Sequence, residues 1–162
     1  MIAGDLVFCH STGIMGKAIR LGEWIRFRKG SAWNHVAVLD RQVDEKWYVI
    51  QAEAHGVTND KTLDSIAPGG RYQVVSPPAG CDRTRLLSFA QSQVGSKYGW
   101  LSILSLVFDL LTPDWFPAVR RKNTWICSAL SMECCRAAGW IHSWNDIYIV
   151  TPAQAWLAVA SN

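Results

Sequence analysis

Long apolar runs are missing from this chain of 162 residues. The longest, Trp100 to Leu111, is interrupted by Asp109 and two serines. It falls short of the roughly 20 residues that cross about 30 Å of hydrocarbon, so stable membrane insertion is not expected. The opening stretch, MIAGDLVFCHS, lacks a basic segment followed by an apolar core. A secretory signal is therefore not expected, and synthesis in the cytoplasm is. Basic runs are also scarce: none exceeds Arg120 to Lys122, and the net charge is only +3. That balance argues against nucleic acid as a partner. Paired C-x-x-C spacing is absent. The five cysteines (Cys9, Cys81, Cys127, Cys134, Cys135) are odd in number and unevenly spaced, which speaks against both a disulfide framework and a zinc site.

What remains is a globular composition, 49% apolar and 18% charged, long enough to bury one core. No repeat or linker divides it, and residues 1–162 are expected to form a single domain. Ala3 to Cys9 reads as a buried strand. Ile14, Ala18, Leu21 and Ile25 have helical spacing within Ile14 to Phe27. His35 to Leu39 and Trp47 to Glu53 read as the arms of a hairpin around the polar turn Gln42 to Lys46. Val57 to Gly70 reads as irregular and Arg71 to Val75 as a further strand. The second half is helical: from the N-cap Asp82 to Gly95, from Tyr98 to Leu111, and from Ile126 to a stop at Gly139. The last helix carries a capping box, with Thr151 as N-cap, Pro152 at the first position and Gln154 reaching back. The expected class is α+β, a small antiparallel sheet packed against helices.

Two residues stand out chemically. Cys127 opens a helix, where free N–H groups and a partial positive charge favour a thiolate and can hold an oxyanion. The stripe Cys127, Leu130, Cys134, Ala138 is equally a core stripe, because cysteine is often buried. His35 opens a strand in WNHVAV and is either a structural imidazole or the base that a thiol nucleophile requires. Such a base needs an orienting group. In WYVIQAE, Gln51 and Glu53 lie two apart and share a face. Either could accept the Nδ1–H of His35 and leave Nε2 facing the thiol. His10 could line the cleft, His55 sits in a turn, and His142 lies in a polar stretch. Trp24, Trp33 and Trp125 flank the candidate site.

The order GDLVF, WNHVAV, VIQA followed by GV, GSKYGW, ICSAL and VTPAQ resembles the circularly permuted members of the NlpC-type, papain-like superfamily, in which the histidine precedes the cysteine. The resemblance runs from Gly4 to about Leu157 and extends to actinobacterial and phage members. It implies a permuted papain-like fold with Cys127 as nucleophile and His35 as base. Where the family usually has a glutamate, this chain has Gln51; Glu53 is the alternative third member. The implied activity is thiol hydrolysis of an amide or ester without metal or organic cofactor. The implied substrate is a peptidoglycan peptide or an acyl lipid; a non-catalytic component of a phage particle is the remaining alternative. Cys127 is expected to be the most reactive of the five thiols.

Overall fold

The computed structural model describes residues 1–10, 32–101, 103, 124–140 and 147–160. The helix expected over Ile14 to Phe27, the apolar segment beyond residue 103, Trp24, His142 and the run Arg120 to Lys122 lie outside the described residues.

Five strands form one open antiparallel sheet: β1 (Leu6–Cys9), β2 (His35–Val43), β3 (Lys46–Glu53), β4 (Gly56–Thr62) and β5 (Tyr72–Val75), in the order β4-β3-β2-β1-β5. Their apolar residues alternate between two cores, as pleating requires. Leu6, Phe8, Val36, Val38, Ile50 and Ala52 belong to one. Val7, Cys9, Ala37, Leu39 and Val49 belong to the other, joined by Leu63 and Ala67. Burial on both faces explains why LVFC and HVAVL read as unbroken apolar runs. The larger core is completed by α2 (Arg83–Ser92), α3 (Cys127–Ala137) and α4 (Pro152–Ala160). The short α1 (Leu63–Ile66) carries Leu63 into the smaller one. The expected α+β class, an antiparallel sheet packed against helices, is the observed one.

Local signals account for most boundaries. The β2–β3 turn is tight because Asp44 and Glu45 both take positive φ, 48° and 63°, the geometry of a two-residue hairpin turn. Asp82 caps α2 by accepting from the N–H groups of Thr84 and Arg85. The capping box of α4 is reciprocal: Gln154 Oε1 accepts from Thr151 N–H at 2.9 Å and Thr151 Oγ1 accepts from Gln154 N–H at 3.2 Å. Gly139, at φ 102°, ends α3.

Several expectations need correction. β1 begins at Leu6 and not Ala3, because Gly4 at φ 87° and the bond from Asp5 N–H to Ile2 carbonyl form a turn there. α2 ends at Ser92, short of Gly95. Tyr98 belongs to a short strand, β6 (Lys97–Tyr98), paired in parallel with β7 (Thr124–Trp125), so no helix starts at that residue. The segment read as irregular from Val57 contains β4. Its sequence, GVTNDKT, is largely polar because it is a sheet edge, and apolar alternation has little to mark there. This edge is held by Val57, whose N–H donates to Ser96 carbonyl and whose carbonyl accepts from Gly95 N–H, both at 2.9 Å.

That mooring needs a glycine at position 56. Its φ is 120°, and a Cβ would sit 2.5 Å from the Ser96 carbonyl oxygen. Gly56→Ala is expected to cost about 3 kcal/mol, combining backbone strain with a backbone clash. A denaturant midpoint within error of the parent would contradict that reading.

Candidate active site

Cys127 is presented by a helix start that no side chain closes. Ile126 is the N-cap in extended conformation, without a side-chain cap bond. The start is held from outside instead. Ser128 Oγ donates to the Val150 carbonyl, and Trp125 donates from Nε1 to Gln93 Oε1 at 2.9 Å. The Trp125 ring stacks on Tyr148 and meets Phe89 edge-on. Backbone N–H groups at the first turn thus remain available to a ligand or to the sulfur itself.

His35 is the first residue of β2, paired with Cys9 of β1. It is half-buried, and it faces Cys127, whose charge and thiol act on the imidazole. Gln51, only 2% exposed, lies on its other side, with Oε1 at 2.7 Å from His35 Nε2. Each ring nitrogen has one in-plane bonding direction, so Nε2–H donates to Gln51 and Nδ1 is left for the sulfur. This corrects the expected arrangement, in which Nδ1 met the orienting group and Nε2 the thiol. Strand spacing decides which side chains are neighbours but not which edge of a ring each one meets.

Burial pushes the Cys127 thiol up. The charge and hydrogen bond of His35, together with the N–H groups of Val36 and Ser128, outweigh it and hold the thiol below its ordinary value. Burial acts on His35 in the opposite sense, favouring the neutral ring. Cys127, by charge and hydrogen bond, then Gln51 and then the charge of Glu53 reverse this, and His35 lies above its ordinary value. Both directions favour the thiolate–imidazolium form over what burial alone would give.

Glu53 is near but not in the chain of bonds. Its Oε1 accepts from Thr58 Oγ1 at 3.4 Å, and it reaches His35 only through its charge. Gln51, and not Glu53, is therefore the hydrogen-bonded third member. Its own Nε2 is buried and has no hydrogen-bond partner among the described residues.

Tyr98, in the motif GSKYGW, is a further residue near the site. It pairs with Trp125, two residues before Cys127, and burial, then the charges of Cys127 and Glu53, push its phenol well up. Cys9 is pushed up to about 12, by burial and then by Cys127, so it is an inert neighbour. His55 is exposed and His10 half-buried. Trp33 packs against Trp156, and Trp125 is core.

No protein-family model matches the chain, and no curated protein does. Among solved structures it is similar to the metalloprotein YiiX from Escherichia coli O157:H7 (DUF1105), with a TM-score of 0.58 and 18% identity. The match covers 91% of this chain and 77% of that one. At that identity the likeness is one of fold.

Proposed function

We propose that this chain is a cysteine hydrolase of the permuted papain-like kind, with Cys127 as nucleophile, His35 as acid–base group and Gln51 as its positioning residue. The observation that carries the reading is the placement of His35 between Gln51, bonded to its Nε2, and Cys127 at the uncapped start of α3. In this mechanism the Cys127 thiolate attacks a substrate carbonyl carbon and the carbonyl π electrons move to oxygen. N–H groups at the helix start hold that oxyanion. His35 gives its Nδ1 proton to the leaving nitrogen or oxygen as the bond to carbon breaks, and a thioester forms on Cys127. Water, losing a proton to Nδ1, then attacks the thioester and releases the acid.

YiiX is described as a metalloprotein. Among the described residues of this chain, no group of three or more His, Cys, Asp or Glu side chains is placed to hold a metal ion. A resident metal lacks a ligand set there, and each step above uses the chain's own groups.

The favoured substrate is an amide in a peptidoglycan stem peptide, as the family resemblance implies. One observation favours an acyl-lipid ester as the second reading: Trp100 and Leu101, just beyond Tyr98, are each 46% exposed. Purified peptidoglycan and a panel of acyl lipids, analysed by mass spectrometry after incubation, separate the two. Stem-peptide fragments released by the parent and not by Cys127→Ala are the expected result. Free fatty acid would establish the second reading, and no product from either set would overturn the hydrolase.

A further inference from the structure

A pair of sulfurs lies at the far end of the helix that carries Cys127. Cys81 stands immediately before the α2 cap, and its Sγ is 3.7 Å from the Cys135 carbonyl oxygen in the last turns of α3. The Cys81 thiol donates to that carbonyl and so lies against the Cys135 backbone. The backbones are tied at the same place: Asp82 N–H donates to Ala138 carbonyl at 2.9 Å, and a Cβ on Gly139 would lie 3.7 Å from Gly80 carbonyl oxygen. Cys81 is half-buried, whereas Cys9, Cys127, Cys134 and Cys135 are buried. We propose that Cys81 is an oxidation site for peroxide-class oxidants and that Cys135 resolves it into an intrachain Cys81–Cys135 disulfide.

The chemistry of the pair divides the roles. The hydrogen bond from the Cys135 thiol favours the Cys81 thiolate. Burial opposes this, and the Trp140 N–H and the charge of Arg83 support it, so Cys81 lies below its ordinary value. The same hydrogen bond, then burial, then the charges of Cys81 and Cys134 hold Cys135 well above its own. Cys81, the thiol an oxidant can reach, is the nucleophile, and the buried Cys135 keeps its proton until the second step. The Cys81 thiolate attacks one oxygen of hydrogen peroxide, breaking the O–O bond and giving a sulfenic acid and hydroxide. The Cys135 sulfur then attacks the Cys81 sulfur and displaces its hydroxyl, which leaves as water with a proton. The remaining hydroxide takes up the other. Two thiols and one peroxide become one disulfide and two waters. No group of the hydrolytic site takes part.

The link would close a loop between positions 54 apart in sequence and tie the end of α3 to the start of α2. A span of that length is expected to raise Tm by roughly 5 to 10 °C. The test treats the whole protein with equimolar hydrogen peroxide near neutral pH, blocks residual thiols and digests without reductant. The expected product joins the tryptic peptides Tyr72–Arg83 and Asn123–Arg136, lighter by two hydrogens. Fragment ions place the link on Cys135, and a reducing agent removes both the link and the Tm rise. Cys81→Ser and Cys135→Ser should each abolish it, and Cys134→Ser should retain it. Because the wild-type peptide map is itself decisive, a poorly folding Cys135 variant leaves the test intact. Sulfinic acid on Cys81 without a cross-link, a link through Cys134 or Cys9, or oxidation confined to Cys127 would each overturn the proposal.

Discussion

Replacing Cys127 by alanine is expected to lower hydrolysis by about 10⁴-fold or more while leaving the fold intact. The substitution removes one buried sulfur from the α3 start. Helix position there depends on Ser128 bonding the Val150 carbonyl and on Trp125 bonding Gln93, and neither contact uses the sulfur. A loss of activity accompanied by an equal loss of folded protein would point to a structural cysteine instead. The same pair gives a test that needs no substrate. Without His35, burial is the dominant influence on Cys127, and its direction is upward. His35→Ala should therefore move the pH profile of Cys127 alkylation to higher pH by one unit or more, on the order of what a paired charge supplies. The thiol's own exposure is only 5%, so a small reagent is required and the profile, not the absolute rate, is the readout. In the parent, activity should rise as pH climbs through the lowered Cys127 titration. It should fall as His35 loses its proton above the ordinary imidazole value, since the acid form must protonate the leaving group.

Much of this site is legible in the sequence, for identifiable reasons. Cys127 at a helix start follows from the change of pattern at Ile126 and from the Gly139 stop. The adjacency of His35 and Gln51 follows from hairpin geometry, because the turn at Asp44 and Glu45 returns the chain alongside itself. The capping box of α4 is purely local, and it forms as written. Three features are not legible. β4 is polar because it is an edge strand. The β6–β7 pair joins segments distant in sequence, Tyr98 opposite Trp125, and two-residue strands leave no period to detect. The choice between the ring nitrogens of His35 depends on a side-chain rotation that strand alternation does not encode. Reactivity is the subtlest case. Residue type makes five thiols look alike, yet burial holds Cys9 and Cys134 above their ordinary value, while hydrogen bonds bring Cys81 below it and the charge of His35, then hydrogen bonds, bring Cys127 below it.

Changing Gln51 should have the next largest effect, and three variants, two at Gln51 and one at Glu53, test which residue positions His35. Gln51→Ala removes the acceptor 2.7 Å from His35 Nε2. It leaves a buried N–H without a partner and an imidazole free to rotate away from the sulfur. A loss of about 10²-fold in kcat with a much smaller change in KM is expected, as for a residue that positions the base without touching substrate. The acid limb should shift little, while the alkaline limb should move down, because Gln51 is one of the groups that raise His35. Gln51→Glu reverses that last effect. The Gln51 Nε2 is buried with no partner among the described residues, so exchanging it for oxygen loses no hydrogen bond to them. The new carboxylate is costly to bury alone but lies against the imidazolium, and contact with Nε2 outweighs its weaker repulsion of the Cys127 thiolate beyond the ring. Activity near the parent's, with an alkaline limb about one unit higher, is the expected outcome. Glu53→Ala removes only a distant charge and should cost less than about 3-fold, moving the alkaline limb slightly downward. An inactive Glu53→Ala beside a near-normal Gln51→Ala would transfer the positioning role to Glu53. A Gln51→Glu variant as weak as Gln51→Ala would show that the neutral amide itself is required.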